Sequence, residues 1–216
     1  MSTLDDLKQN VIDGNANGAK ALVQQAISEG TPPEKILNEG LIAAMAEVGR
    51  LFECGEYYVP EMLVAARAMK TGLELIRPGL AAANVQAIGK IVIGTVQGDL
   101  HDIGKNLVGI MMEGAGFQVI DLGVDVSPQK FVDAVKEHSP QLVGFSALLT
   151  TTMTRMKDNV DALQKAGLRD KVKVMVGGAA VTQAFANQIG ADGYSPDASS
   201  AARMARRLVK NKTTSR

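Results

Sequence analysis

The chain has 216 residues, 46% hydrophobic and 21% charged, the balance of an ordinary globular protein of one or two domains. Lys plus Arg and Asp plus Glu both come to 23, so no net charge draws it to nucleic acid or to an acidic membrane face. A lone cysteine, Cys54, excludes an intramolecular disulfide and points to a reducing, cytoplasmic setting. No apolar run approaches the roughly 18 residues of a membrane span, and the first residues carry no basic-then-apolar signal pattern.

The first part of the chain reads as helices. Leu4, Leu7 and Val11 sit at helical spacing, and Leu22, Val23, Ala26 and Ile27 form a second stripe. Thr31-Pro32-Pro33-Glu34 supplies a capping hydroxyl, a proline for the first turn and a glutamate three residues on. The stripe that follows is Ile36, Leu37, Leu41, Met45, Val48 and Phe52. Pro60 opens a fourth helix through Met62, Ala66, Met69, Leu73 and Ile76, which Pro78-Gly79 is expected to stop. Four helices with short loops predict a bundle over residues 1–78, followed by an alanine-rich linker, 79–89.

Beyond residue 90 the pattern changes. Continuous apolar runs at 90–96, 117–122, 142–145 and 172–176 read as strands buried on both faces. Segments of helical period lie between them at 104–116, 128–138 and 151–166. A short fifth strand at 192–194 and a helix over 197–210 complete an α/β domain, 90–216, with a doubly wound, flavodoxin/Rossmann-like sheet of five parallel strands. Residues 210–216 read as a polar, frayed tail.

In such a sheet, ligands bind beyond the carboxyl ends of the strands. The residues least suited to a packed core fall there: Gln97-Gly98-Asp99-Leu100-His101-Asp102-Ile103-Gly104 after strand one, Ser146 to Thr152 after strand three, Gly177-Gly178 after strand four, and Tyr194 to Ala198 after strand five. With only His101 and His138 in the chain, a multi-histidine metal centre is excluded unless carboxylates supply nearly every ligand. His138 sits before Ser139-Pro140 at a helix C-terminus and reads as structural. His101 has Asp99 two residues earlier, and a carboxylate so placed takes the proton of one ring nitrogen and leaves the other as a ligand. A hydroxyl from Ser146 or Thr152 would hold that carboxylate. One histidine suffices only when the metal arrives with its other ligands.

Other motif readings fail on spacing. The pair His101-Asp102 lacks the further histidines of metal-dependent phosphohydrolases. The stretch from Gly98 to Lys105 is one residue too long for a phosphate loop, and Asn106 replaces the required Ser/Thr. Neither G-x-S-x-G nor C-x-x-C occurs.

Together, Asp99-Leu100-His101-Asp102-Ile103-Gly104, Ser146-Ala147-Leu148 and Gly177-Gly178 resemble the cobalamin-binding signature Asp-x-His-x-x-Gly, Ser-x-Leu, Gly-Gly. Val48-Gly49-Arg50-Leu51-Phe52 and Tyr57-Tyr58-Val59-Pro60-Glu61 look like the helical cap of cobalamin-dependent methionine synthase and of small corrinoid methyl carriers. The resemblance covers nearly the whole chain. It implies a corrinoid protein, not catalytic alone, that cycles between cob(I)alamin and methylcob(III)alamin. Its partners would be a donor-specific methyltransferase, an acceptor methyltransferase and a reductive activase, with no nucleic acid and no membrane.

By the same resemblance His101 is the lower ligand to cobalt, Asp99 bonds its far nitrogen, and Thr152 stands at a hydroxyl position where family members often have serine. Gly98, Asp102, Ile103 and Gly104 belong to the cofactor-binding loop. Ser146, Leu148, Thr150, Gly177, Gly178 and Ala198 would line the nucleotide tail. Phe52 and Val59 match cap positions that shield the methyl-bearing face, and the linker is the expected hinge. A cobalamin-binding sensor is the alternative; such proteins usually add a DNA-binding domain or a tryptophan near the upper face, and this chain has no tryptophan.

Overall fold

Helices begin where the sequence supplies caps. In the computed structural model, which describes residues 2–213, the Ser2 hydroxyl accepts from the Asp5 N–H and the Asp5 carboxylate accepts from the Ser2 N–H, starting α1 (Thr3–Ile12). Asn15 caps α2 (Ala16–Ser28) by accepting from the Gly18 N–H at 3.0 Å.

The third predicted helix forms as α3 (Pro33–Lys35), a π-helical segment (Ile36–Ile42) and α4 (Ala43–Glu53) in direct succession. Thr31 is not its cap: the helix starts after Pro32 with no side-chain cap. The wider winding surrounds Gly40, where a Cβ would lie 2.7 Å from Leu7 Cδ2, so α1 crosses against bare backbone. Tyr58 donates its N–H to Glu61 at 2.9 Å to open α5 (Val59–Ala82).

Pro78 does not stop α5, contrary to the sequence expectation; it lies inside the helix, which runs on to Ala82. The reason is tertiary. Gly79 packs so closely on Pro33 that a Cβ there would sit 2.7 Å from the proline ring, and this contact with α3 holds the last turn. Four of the residues expected as linker are therefore helical, and the chain divides into compact units Met1–Gln86 and Ala87–Arg216. Leu7, Val23, Leu41, Met45, Met62 and Ile76 form the core of the first unit.

The second unit alternates β1 (Lys90–Thr95), α6 (Ile103–Gly114), β2 (Gln118–Asp121), α7 (Pro128–His138), β3 (Leu142–Ser146), α8 (Thr150–Met153), α9 (Arg155–Lys165), β4 (Lys173–Gly177), α10 (Gln183–Gln188), β5 (Gly193–Tyr194) and α11 (Ala198–Thr213). All pairings are parallel, in the order β2-β1-β3-β4-β5. The helix expected over 151–166 is divided at Thr154, and α10 has no counterpart in the sequence reading. The last helix reaches Thr213, three residues beyond the expected end at 210, while 214–216 lie outside the described residues. β1 is buried from Ile91 to Thr95, as a central strand covered on both faces must be. α6 packs with α11, whereas Phe131 of α7 meets Phe145 of β3 edge-on, ring centroids 4.8 Å apart.

Candidate functional site

The strand order places β1 beside β3 with their outgoing connections diverging, the switch point at which doubly wound sheets form crevices. Backbone bonds tie the strand ends across it: Val96 N–H to Ser146 O at 3.0 Å, and Ala147 N–H to Gly177 O at 3.3 Å.

Into this point the loop after β1 turns Asp99, only 1% exposed. A buried carboxylate without partners would be prohibitively costly. Asp99 has four donors. Its Oδ1 accepts from the His101 N–H at 3.0 Å and from His101 Nδ1 at 2.6 Å; its Oδ2 accepts from the Leu148 N–H at 2.9 Å and the Thr152 hydroxyl at 2.6 Å. Burial pushes the Asp99 carboxyl up, but the Thr152 hydroxyl, the two His101 donors and the Leu148 N–H outweigh it and hold the group well below the usual carboxylate range. An ionised carboxylate only accepts, so Nδ1 of His101 carries the proton. In that tautomer Nε2 is the nitrogen left to act as a ligand, on a side chain 51% exposed. Of the two hydroxyls considered for holding Asp99, Thr152 makes the bond. The His101 carbonyl accepts from the buried Thr95 hydroxyl at 2.8 Å, so both sides of the residue are held.

The other expected residues distribute around this pair. Asp102 precedes α6 and its carboxylate accepts from the Asn106 amide at 3.1 Å. Ile103 is 76% exposed, and a Cβ at Gly104 would meet nothing within 4 Å, so the start of α6 is open. Ser146 ends β3, and Thr150 begins α8, exposed. Gly177 ends β4, and Ala198 begins α11 buried, at the same rim. At Gly178 the protein itself requires glycine. Its φ is +123°, and a Cβ would come 1.9 Å from the Ala147 carbonyl oxygen, so two loops touch there backbone to backbone. Phe52 and Val59 are half-buried residues of the helical unit. His138 ends α7 as expected, in its last turn.

The donor set indicates what fits. Among the described residues no group of three or more His, Cys, Asp or Glu could hold a metal ion. A metal held by His101 would have to bring its other ligands with it. Leu100, Ile103, Leu148 and Leu149, on the loops that carry His101 and the donors to Asp99, are between 40% and 76% exposed, an apolar surface suited to a large, flat, hydrophobic-edged macrocycle. One nitrogen donor, an apolar surface and an open helix start fit a corrinoid.

Comparison with known proteins agrees. Two families, each described as a B12 binding domain, match residues 89–203 and 3–77. The chain belongs to the B12-binding family. This corrinoid protein is 43% identical to the dimethylamine corrinoid protein 3 of Methanosarcina acetivorans over 97% of its own length and 100% of that protein's. It also resembles the solved structure of a cobalamin-binding protein from Desulfitobacterium hafniense, with 32% identity, TM-score 0.81, and 95% and 98% of the two chains covered. A chain of the methanol:cobalamin methyltransferase complex of Methanosarcina barkeri matches with 30% identity, TM-score 0.86, over 96% of this chain and 80% of that one.

Three supports of the Asp99–His101 pair escaped the sequence reading. The Leu148 contribution is a backbone N–H, and Thr95 looked like an ordinary strand residue. Asp125 lies in the loop after β2, far from the motif in sequence, and its contacts are visible only in three dimensions.

Proposed function

We propose that this chain is the methyl-carrying subunit of a multi-component methyltransferase system. It would serve between a donor-specific methyltransferase and an acceptor methyltransferase using tetrahydrofolate or a thiol coenzyme, with a reductive activase restoring oxidised cofactor. When bound, the corrinoid supplies a cobalt that accepts a methyl group and gives it up again. The observation that carries the reading is the His101 ring, fixed through Nδ1 by a buried, four-donor Asp99 and presenting Nε2 at the switch point.

The chain's own residues bind, orient and tune. His101 would supply the protein's nitrogen ligand to the cobalt. Asp99 fixes its tautomer and increases its basicity, and Thr152 with Leu148 N–H keeps Asp99 ionised and still. Gly98, Asp102, Ile103, Gly104, Ser146, Leu148, Thr150, Gly177, Gly178 and Ala198 line the remainder of the ligand. By family resemblance, Phe52 and Val59 of the helical unit would help to shelter the bound corrinoid, and the connection around residues 79–89, of which α5 takes the first up to Ala82, would act as the hinge. The similarity to a dimethylamine corrinoid protein favours a methylamine as the donor class. No helix of the described residues is long and apolar enough to cross a membrane, which suits a carrier that meets its partners in the cytoplasm.

The test is reconstitution with hydroxocobalamin and reduction to Co(II). Electron spin resonance should show splitting by one imidazole nitrogen, lost in His101→Ala with corrinoid still bound. No retained corrinoid, or splitting that survives in His101→Ala, overturns the assignment. With the ligand site secured, transfer of label from a methylamine in the presence of a cognate methyltransferase tests the carrier role.

A further inference from the structure

The loop that bears Asp99 and His101 is gripped from across the sheet edge by a residue outside the binding motif. Asp125, in the connection after β2, accepts the Gly98 N–H through Oδ1 at 2.7 Å and donates its own N–H to the Asp99 carbonyl at 3.0 Å. The two bonds bracket the peptide unit from which the Asp99 side chain departs. Asp125 does this at φ +52°, a left-handed conformation uncommon in residues other than glycine. Gly98 opposite is left-handed as well, at +83°, and so is Gly123, at +84°. Three left-handed residues in two facing loops are a concentration of backbone constraint at a functional site. The neighbouring register supports it: Thr95 N–H bonds Gly123 O at 3.0 Å, and Val126 N–H bonds Thr95 O at 2.9 Å, so the segment 123–126 continues β2 alongside the end of β1.

The geometry points to Asp125 as a positioning residue for the lower ligand. It sets the turn at Gly98-Asp99 so that the Asp99 carboxylate reaches His101 Nδ1, Leu148 N–H and Thr152 Oγ together. This rests on the reading of His101 as the axial nitrogen. Two functions of Asp125 separate chemically. Asparagine keeps both an acceptor oxygen and tolerance of positive φ; glycine keeps only the tolerance.

The full-length protein, Asp125→Asn and Asp125→Gly would each be loaded with hydroxocobalamin and reduced to Co(II). The fraction of cobalt showing imidazole-nitrogen splitting is the readout, with melting of the cofactor-free proteins alongside. The wild type and the Asn variant should be almost fully nitrogen-bound, and the Gly variant at least threefold lower with melting within a few degrees of wild type. A Gly variant with the wild-type fraction overturns the positioning role. So does a Gly variant that melts far lower, since Asp125 would then be a general structural support. A second measurement needs no variant: in the cofactor-free wild type, the Gly98 and Asp125 amides should exchange at least tenfold more slowly than in an unstructured peptide, and unprotected amides refute the clamp. If the wild type shows no nitrogen splitting while those amides are protected, the axial assignment of His101 fails, and the positioning role falls with it.

Discussion

Thr152→Val isolates the support of the buried carboxylate. Valine matches threonine in shape and β-branching, so the substitution removes one donor from Asp99 Oδ2 and puts a methyl in its place. Thr152 is 8% exposed and Asp99 1%, leaving little route for water to replace the hydroxyl. A hydrogen bond to a charged group contributes about 1.5–3 kcal/mol, and the closed site argues for the upper half of that range, about 2–3 kcal/mol. At tenfold per 1.4 kcal/mol, this corresponds to a roughly 30- to 150-fold larger opening equilibrium. The chain has two units, so whole-molecule melting would mix their contributions. Hydrogen exchange of β1 and β3 peptides, measured at pH 7 without cofactor, reports the sheet unit alone. Thr152→Ser is the control: it keeps the donor and loses one methyl, about 0.8 kcal/mol. A valine variant exchanging within about threefold of wild type, or a serine variant as labile as the valine one, would refute the account of how Asp99 is kept buried.

Gly178→Ala should destabilise the sheet unit by about 2–5 kcal/mol, combining positive-φ strain with a Cβ driven into the Ala147 carbonyl, and weaken corrinoid retention; unchanged exchange in β3 and β4 peptides would contradict this. Asp192 is pushed up by burial, but the Val174 N–H, the Lys173 ammonium and the Arg169 guanidinium outweigh that and lower it below 3.8. Its folded value lies below its unfolded one, so its stabilisation is complete above about pH 4 and is lost as pH falls through the folded value. Asp192→Asn should therefore lower stability at pH 7 and reduce the acid dependence of urea unfolding, and an unaltered acid profile would count against it. Lys105, 4% exposed, pairs with the half-exposed Asp121 and with Asn106 Oδ1 at 2.7 Å. Asp121→Ala strands a buried ammonium and should cost about 3 kcal/mol, more than Lys105→Met, which leaves a carboxylate that water reaches. The reverse order in denaturant titrations would overturn that reasoning.

Much of the architecture was legible because burial imposes a period. The unbroken apolar run from Ile91 to Val96 could only be a central strand, and the stripes around Met45 and Met69 could only be bundle faces. Local chemistry misled at three points. Pro78 continues a helix because Pro33 packs against Gly79. Thr31 is bypassed as a cap, and the helix after it winds wider where Gly40 meets Leu7.

By itself the sequence determined the partition into helical and α/β halves, and the ring of polar loops at the strand ends. It also restricted any metal at the single histidine beside Asp99 to one that arrives with its other ligands. Only the tertiary structure decided which hydroxyl holds Asp99, that glycine at 178 serves loop packing, and that Asp125 grips the histidine loop. The physical reason is range. Periodicity and capping act between residues a few positions apart, whereas Asp99 is satisfied by donors 49 and 53 residues away and its turn by one 27 residues from Gly98, brought together by strand order alone.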